Sequence, residues 1–279
     1  MKVTLWGTRG SLASPGPDTA RYGGNTSCVE VRGNDGTVLI LDAGTGLRGL
    51  GLSLPRSLRR VNLLLTHLHM DHIQGLGFFG ALRNPEIEVH IWGPASTTLD
   101  LRSRLTRYLS PPLFPVHLRD LSSILFFHEV PQEDFDIDEF HISTALVCHP
   151  DPTVGYRIES ADATLTYLPD HEPALGAKKF PLSGDWTSGY KLAAGSDLLI
   201  HDAQFTEAEY ETRVGWGHSS VAHAFEFATL AGVKSFVPFH HDPSHTDDIL
   251  DELINNSIDG AQPPFTVIPG IEGATFEPG

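Results

Sequence analysis

The feature that most constrains this chain is the run His67-Leu68-His69-Met70-Asp71-His72, which follows Thr66 and the apolar stretch Val61 to Leu65. That stretch reads as a buried strand, because a short continuous apolar run bounded by turn residues fits a sheet interior. Four potential metal donors within six residues therefore stand at one strand end. Neutral imidazoles and carboxylates are the ligands that zinc and similar ions prefer. A compact turn lets two donors face one ion while the next pair faces another. One histidine here would be an ordinary polar turn residue; an H-x-H-x-D-H run is a metal-site pattern.

The rest of the chain repeats the arrangement. Val38 to Leu41 is an apolar run that stops at Asp42 and the turn Ala43-Gly44-Thr45-Gly46. His141 to Cys148 is strand-like and delivers His149. Val154 to Glu159 and Thr164 to Leu168 read as a hairpin around Ser160 to Ala163, and its second arm delivers Pro169-Asp170. Asp197 to Ile200 delivers His201-Asp202, and Val233 to Phe239 delivers His240-His241. Strand ends are positioned by the core while loops give access, so this is how a rigid scaffold gathers ligands in one place.

A further strand is expected over Glu88 to Trp92. A helix is expected from about His72, carrying Ile73, Leu76 and Phe79, and another over Thr98 to Leu109. Residues 95–130, with the Pro-rich turn Ser110 to Pro115, read as an insertion near the site. Ser219 or Ser220 can cap a helix carrying Val221, Ala224, Phe225, Ala228 and Ala231, which Gly232 ends.

The chain has 279 residues, 40% of them hydrophobic, which suffices for a sizeable core. No linker, repeat or low-complexity tract divides it, so one domain spanning 1–279 is expected. The apolar runs are too short to span a bilayer, and Met1 to Gly7 leads straight into strand-like sequence without a signal-peptide pattern. A soluble, cytoplasmic enzyme is expected, with no membrane partner; a homodimer is compatible with the sequence. Cys28 and Cys148 read as buried thiols rather than a disulfide framework. The formal net charge of −16 weighs against a long nucleic-acid partner, whose binding draws on Lys and Arg. Arg56 to Arg60 and Arg102 to Arg107 are the densest basic stretches, and both are short. A small anionic substrate is less affected, since metal ions dominate the field of their own site.

The His67 to His72 run resembles the signature of the metallo-β-lactamase superfamily, and the resemblance extends over nearly the whole chain. It implies an α+β fold, an αββα sandwich of two mixed sheets packed face to face, with helices outside and metals at one edge. By that resemblance His67, His69 and His149 bind a first metal, Asp71, His72 and His240 bind a second, and Asp170 bridges them. His240 stands three residues before Pro243, as in the phosphodiesterase-like members; His241 then lies outside the ligand set. His171, His201 and His245 read as satisfied polar or surface residues, and Asp42 as a turn residue shaping the site floor. The cofactors implied are two divalent ions, zinc foremost, with manganese and iron as alternatives. A glutamate at position 69 would have pointed to a di-iron redox centre. Metal ions lower the pKa of water to about 7, and two ions about 3.5–4 Å apart can hold a nucleophile and shield phosphoryl oxygens together. Asp71 could also orient or deprotonate that water.

Several segments look like the phosphodiesterase branch, which includes tRNA 3′-processing endonucleases and cyclic phosphate phosphodiesterases. They are Gly7-Thr8-Arg9-Gly10-Ser11, Tyr22 to Cys28, Leu41 to Gly46 and above all Gly217-His218-Ser219-Ser220. In that branch the histidine of the last segment pairs with a carboxylate and protonates the leaving oxygen. Here the carboxylate position falls on Asp202, where the branch commonly has Glu. The chain lacks a long Gly/Pro-rich arm for gripping tRNA. The expected reaction is hydrolysis of a small phosphodiester, with cyclic nucleotides and cyclic sugar phosphates as candidates. The alternatives are a lactone or β-lactam hydrolase on the same metals and a tRNA 3′-processing endonuclease. Trp216 and Tyr190 are candidates to stack on a base.

Overall fold

The structure is a computed structural model that describes residues 1–130, 134–177 and 179–279. In chain order the strands are β1 (Lys2–Gly7), β2 (Cys28–Arg32), β3 (Val38–Leu41), β4 (Arg60–Leu64), β5 (Glu88–Pro94), β6 (Ile124–Val130), β7 (Phe135–Ile137) and β8 (Phe140–Leu146). They continue as β9 (Val154–Glu159), β10 (Thr164–Leu168), β11 (Leu198–Asp202), β12 (Ser235–Phe239), β13 (Thr266–Val267) and β14 (Thr275–Phe276). The α-helices are α1 (Leu47–Ser53), α2 (Met70–Ile73), α3 (Leu101–Tyr108), α4 (Tyr190–Ala193), α5 (Glu207–Glu211), α6 (Val221–Ala231) and α7 (Asp247–Ala261).

Two seven-stranded mixed sheets form, in the orders β14-β1-β2-β3-β4-β5-β6 and β13-β12-β11-β10-β9-β8-β7. Each is antiparallel on one side and parallel on the other: β3 to β6 run parallel, as do β10 to β13. Strand alternation explains the layering. In β3, Leu39 and Leu41 join the cluster between the sheets, with Leu64, Tyr156, Tyr167, Ile200 and Phe239. Val38 and Ile40 point the other way, against Leu47, Leu50, Leu101 and Leu105 of α1 and α3. On the second sheet Leu199 and Phe236 pack outward against Phe225 and Ala228 of α6. This is the expected α+β sandwich. Metal-site strand ends belong mostly to its parallel portions, whose carboxyl ends face the same edge.

Local expectations differ in detail. The helix expected from His72 is only the four-residue α2, followed by 3₁₀ turns at Leu76–Phe78 and Gly80–Arg83. Ile73, Leu76 and Phe79 are nevertheless buried as their spacing implied. A helix-disfavouring glycine interrupts the pattern: Gly75 lies so close to the Gly44 carbonyl that a Cβ would come within 2.1 Å of it. The helix expected over Thr98 to Leu109 starts later, because Asp100 accepts a hydrogen bond from the Ser103 N–H and acts as its N-cap. Residues 95–130, read as an insertion, contain α3 and then β6, all seven residues of which pair with β5. Ser220, rather than Ser219, caps α6, and Gly232 closes it in the left-handed conformation. Cys28 is buried and Cys148 half-buried; both thiols are free, and burial raises the pKa of each. Among the described residues no helix is long and apolar enough to cross a membrane.

Candidate metal centre

All seven residues expected to bind metal meet at one edge of the sandwich. Their donor atoms form overlapping groups, each within 4.8 Å: His67, His69 and His149; His67, His72 and Asp170; Asp71, His72 and His240. His67 and His72 each belong to two of these groups, and Asp170 joins them. Its Oδ2 lies 3.7 Å from His67 Nε2 and 3.8 Å from His149 Nε2, and its Oδ1 lies 2.9 Å from His72 Nε2 and 3.3 Å from His240 Nε2. Asp71 Oδ2 is 3.3 Å from His72 Nε2 and 3.1 Å from His240 Nε2. His69 turns Nδ1 inward, 3.4 Å from His149 Nε2, and Nε2 outward toward Asp151.

The outer nitrogens decide which lone pairs face in. His72 Nδ1 lies 2.8 Å from Asp42 Oδ2, an acceptor, so that nitrogen carries the proton and Nε2 is left as donor atom. His149 Nδ1 donates to the Gly217 carbonyl at 2.8 Å, with the same result. The Thr66 hydroxyl donates to Asp42, which leaves its oxygen to accept from His67 Nδ1 at 3.1 Å. His67 Nε2 and Asp170 Oδ1 are buried and make no hydrogen bond. A buried polar atom without a partner is costly. Converging imidazole lone pairs and carboxylates are what divalent ions satisfy, so the donor set fits two of them.

Charge balance agrees. Burial opposes ionisation of Asp71 and Asp170, but neighbouring imidazoles outweigh it and hold both carboxyls below the usual range. Burial likewise opposes charge on His72, yet Asp170, Asp71 and Asp42 raise its pKa well above the ordinary value. Burial instead pushes the pKa of His67 and His149 down, so the carboxylates favour positive charge at His72 while the other rings resist protonation.

Beside this cluster stand His218 and Asp202. His218 Nδ1 is 2.7 Å from Asp202 Oδ2, so the shorter aspartate reaches the ring. Asp202 is fully buried and also accepts from the N–H groups of Ser219, Gln204 and His171. Burial lowers the His218 pKa, and the Asp202 carboxylate reverses that, raising it to about 9. The ring is stacked on His240, centroids 4.9 Å apart, and meets His149 edge-on at 5.0 Å. Gly217 shapes the approach: its φ is +87°, and a Cβ there would lie 2.3 Å from His149 Nδ1.

The remaining candidates separate. His241 is buried outside the cluster against the Gly270 carbonyl, and burial pushes its pKa down to about 3. His171 and His201 are buried and bonded to each other at 2.9 Å, and His201 Nδ1 donates to the Asp202 carbonyl. His245 is also buried and lies 3.1 Å from Glu209. Trp216 is exposed two residues before His218, with Arg213 over its ring; Tyr190 lies on α4.

Three residues outside the expected ligand set support the site. Asp42, a left-handed residue with φ 59°, is more than a turn former: it binds His72, Thr66 and the Tyr167 hydroxyl at once. Its position at the end of an apolar strand had marked it only as part of the site floor. Glu172, buried, accepts from Tyr210 and from the N–H groups of Gly215 and Gly217, and so holds the loop before His218. Arg9, fully buried, donates to the carbonyls of Gly23 and His245 and lies 3.5 Å from Asp247. That ties the opening loop to the chain after His240; Arg9 stands in the Gly7–Ser11 segment, whereas Glu172 has no local sequence pattern that marks it.

The family described as "Beta-lactamase superfamily domain" matches residues 37–241. Ribonuclease Z of Haloarcula marismortui is 26% identical over 93% of this chain and 93% of its own length. Ribonuclease Z of a Mycobacterium species is 30% identical over 87% of this chain and 85% of its own. The structure of the short form of human tRNase Z superposes with a TM-score of 0.69 and 22% identity, covering 100% of both chains.

Proposed function

The chain belongs to the beta-lactamase superfamily, in its phosphodiesterase branch, and we propose that it hydrolyses small phosphodiesters with the aid of two divalent ions. His67, His69 and His149 would hold one ion, Asp71, His72 and His240 the other, and Asp170 both. The imidazole-rich set suits zinc, with manganese and iron as alternatives. Bound there, the ions would lower the pKa of a water nucleophile and would shield negative charge on the phosphoryl oxygens.

The remaining work falls to protein side chains. Asp42, Thr66 and the Gly217 carbonyl hold the ligand rings in register. Asp71, which also accepts from the Ser11 N–H at 2.8 Å, would orient the attacking water. His218 delivers a proton to the leaving oxygen, and Asp202 holds the ring and favours its charged form. The observation that carries this reading is the 2.7 Å contact between His218 and Asp202 beside the donor cluster. The metal ligands alone would suit a lactone or β-lactam hydrolase equally well; the His218–Asp202 pair is what supports the phosphodiesterase reading beyond them. The net charge of −16 favours a small substrate.

A second reading, tRNA 3′ processing, is favoured by the 30% identity to a Ribonuclease Z. The metal-loaded protein should be assayed on bis(p-nitrophenyl) phosphate, cyclic nucleotides, tRNA with a 3′ trailer, lactones and nitrocefin. Turnover of the small diesters with the trailer left uncut supports the first reading. Efficient trailer removal replaces it with the second, and preference for lactones or nitrocefin rejects both.

A further inference from the structure

On the His67–His69 side of the cluster lies a cleft of about 460 Å³. α3 contributes Arg104, Arg107 and Tyr108 to its lining. These positions are i, i+3 and i+4 and so share one helix face. Arg104 is anchored by the Pro94 carbonyl and lies 3.4 Å from Glu129, but its buried Nε has no hydrogen-bond partner. Arg107 is exposed and has no ion-pair partner among the described residues. Arg21, Arg32 and Arg157, by contrast, are held by carboxylates. The cleft lining includes one carboxylate, Asp151, which lies beside His69 Nε2. Two guanidiniums next to a metal centre run against the charge of the whole molecule and toward an anion.

We propose that the Arg104–Arg107 face is a subsite for a phosphate group of the substrate other than the one being cleaved. The inference rests on the phosphodiesterase reading. A scissile diester carries one negative charge, which the metal centre meets; a second phosphate needs its own cation. Guanidinium geometry matches phosphate oxygens in pairs. Exposed Met70 and Leu113, with Tyr108, give the same cleft apolar surface for the organic body of such a substrate. The substrate class is therefore a phosphodiester with a further phosphate, either terminal or the next one along a nucleotide chain.

The test compares UpU, pUpU, UpUp and UpUpU on the metal-loaded full chain. kcat/KM is measured on wild type, and Kd on the His218→Ala protein, each with and without Arg107→Ala. One phosphate-bearing ligand should exceed UpU by about tenfold in both readouts, the worth of one charge-assisted hydrogen bond, and Arg107→Ala should abolish that gain while leaving UpU unchanged. A gain with pUpU or UpUp identifies a terminal phosphate; a gain confined to UpUpU identifies an internucleotide one. Arg102→Ala, on the neighbouring exposed surface, should preserve the gain. No gain in wild type, or equal losses in Arg107→Ala and Arg102→Ala, overturns the subsite. Failure to cleave any of the four ligands would instead remove the phosphodiesterase reading, while the Kd series still decides whether the cleft takes phosphate.

Discussion

The two sheets furnish the metal centre in opposite ways. The first places four donors in the turn from His67 to His72, so one backbone segment carries more than half of the set. The second contributes His149, Asp170 and His240, plus the Asp202 that holds His218, from four different strand ends. Donors on one turn keep their spacing through local geometry. Donors on separate strands keep theirs only if the sheet register holds, here Tyr167 opposite Ile200 and Asp202 opposite Phe239. Local pieces can therefore be read early and survive small distortions, whereas the gathered pieces depend on the whole sandwich.

Removing the link between the halves should have the largest effect. Asp170 lies within 3.8 Å of four imidazoles from both sheets. Asp170→Ala should lower the occupancy of both metal positions and cut activity by about 10³-fold or more, since a metal ion contributes several kcal/mol to the barrier. Elemental analysis of the replete protein checks this, and two tightly held ions per chain in the variant would show that the halves bind independently.

Next is the proton donor, supplied by the gathered half alone. His218→Ala should retain both metals and lose about 10²–10⁴-fold on alkyl phosphodiesters, but far less on a p-nitrophenyl leaving group, which scarcely needs a proton. Asp202→Asn should show the same selectivity more weakly. Equal losses on both leaving groups would return His218 to a structural role.

The local half has its own support to break. Asp42→Asn keeps the shape but weakens the acceptor that fixes His72, so metal affinity should fall by about 10–100-fold, as for other outer partners of a metal-bound histidine. A titration with a metal indicator reads it. A change confined to one of the two positions would sharpen the contrast between the sheets; unchanged affinity would reduce Asp42 to a turn former.

The smallest expected effect is on stability. Ligands that bind only the folded state stabilise it by mass action, by about 2.7 kcal/mol at a hundred times Kd. Chelation should lower Tm by a few degrees, and amide exchange should rise first where β10, β11 and β12 end. If exchange rises instead in the 66–72 turn, the local segment is the one that depends on metal.

Much of this was legible beforehand because the signals are short in range. The strand before His67, the hairpin delivering Asp170 and the capped α6 each declare themselves within about a dozen residues, and donor chemistry is a property of the side chain. The expected helix after His72 fails because apolar spacing alone does not register that Gly75 must pass against Gly44. Within residues 95–130, the pairing of the edge strand β6 with β5 was not legible either, because a Pro-rich turn precedes it and strand partners are set by sheet order.

By itself, then, the sequence determined where the candidate donor side chains cluster along the chain, that most follow apolar strand-like runs, and that the chain carries a large negative charge. Tertiary structure alone decided which imidazole nitrogen faces inward, since that depends on Asp42, Gly217 and Thr66 lying behind the rings. It also decided that an aspartate at 202 is long enough to reach His218, that Glu172 tethers the loop before it, and that two arginines of α3 line the cleft beside His67. The physical reason is the range of the interactions. Periodicity and donor chemistry act within a segment, but a hydrogen bond of 2.7 Å between residues on different elements depends on sheet order and register, which no local pattern contains.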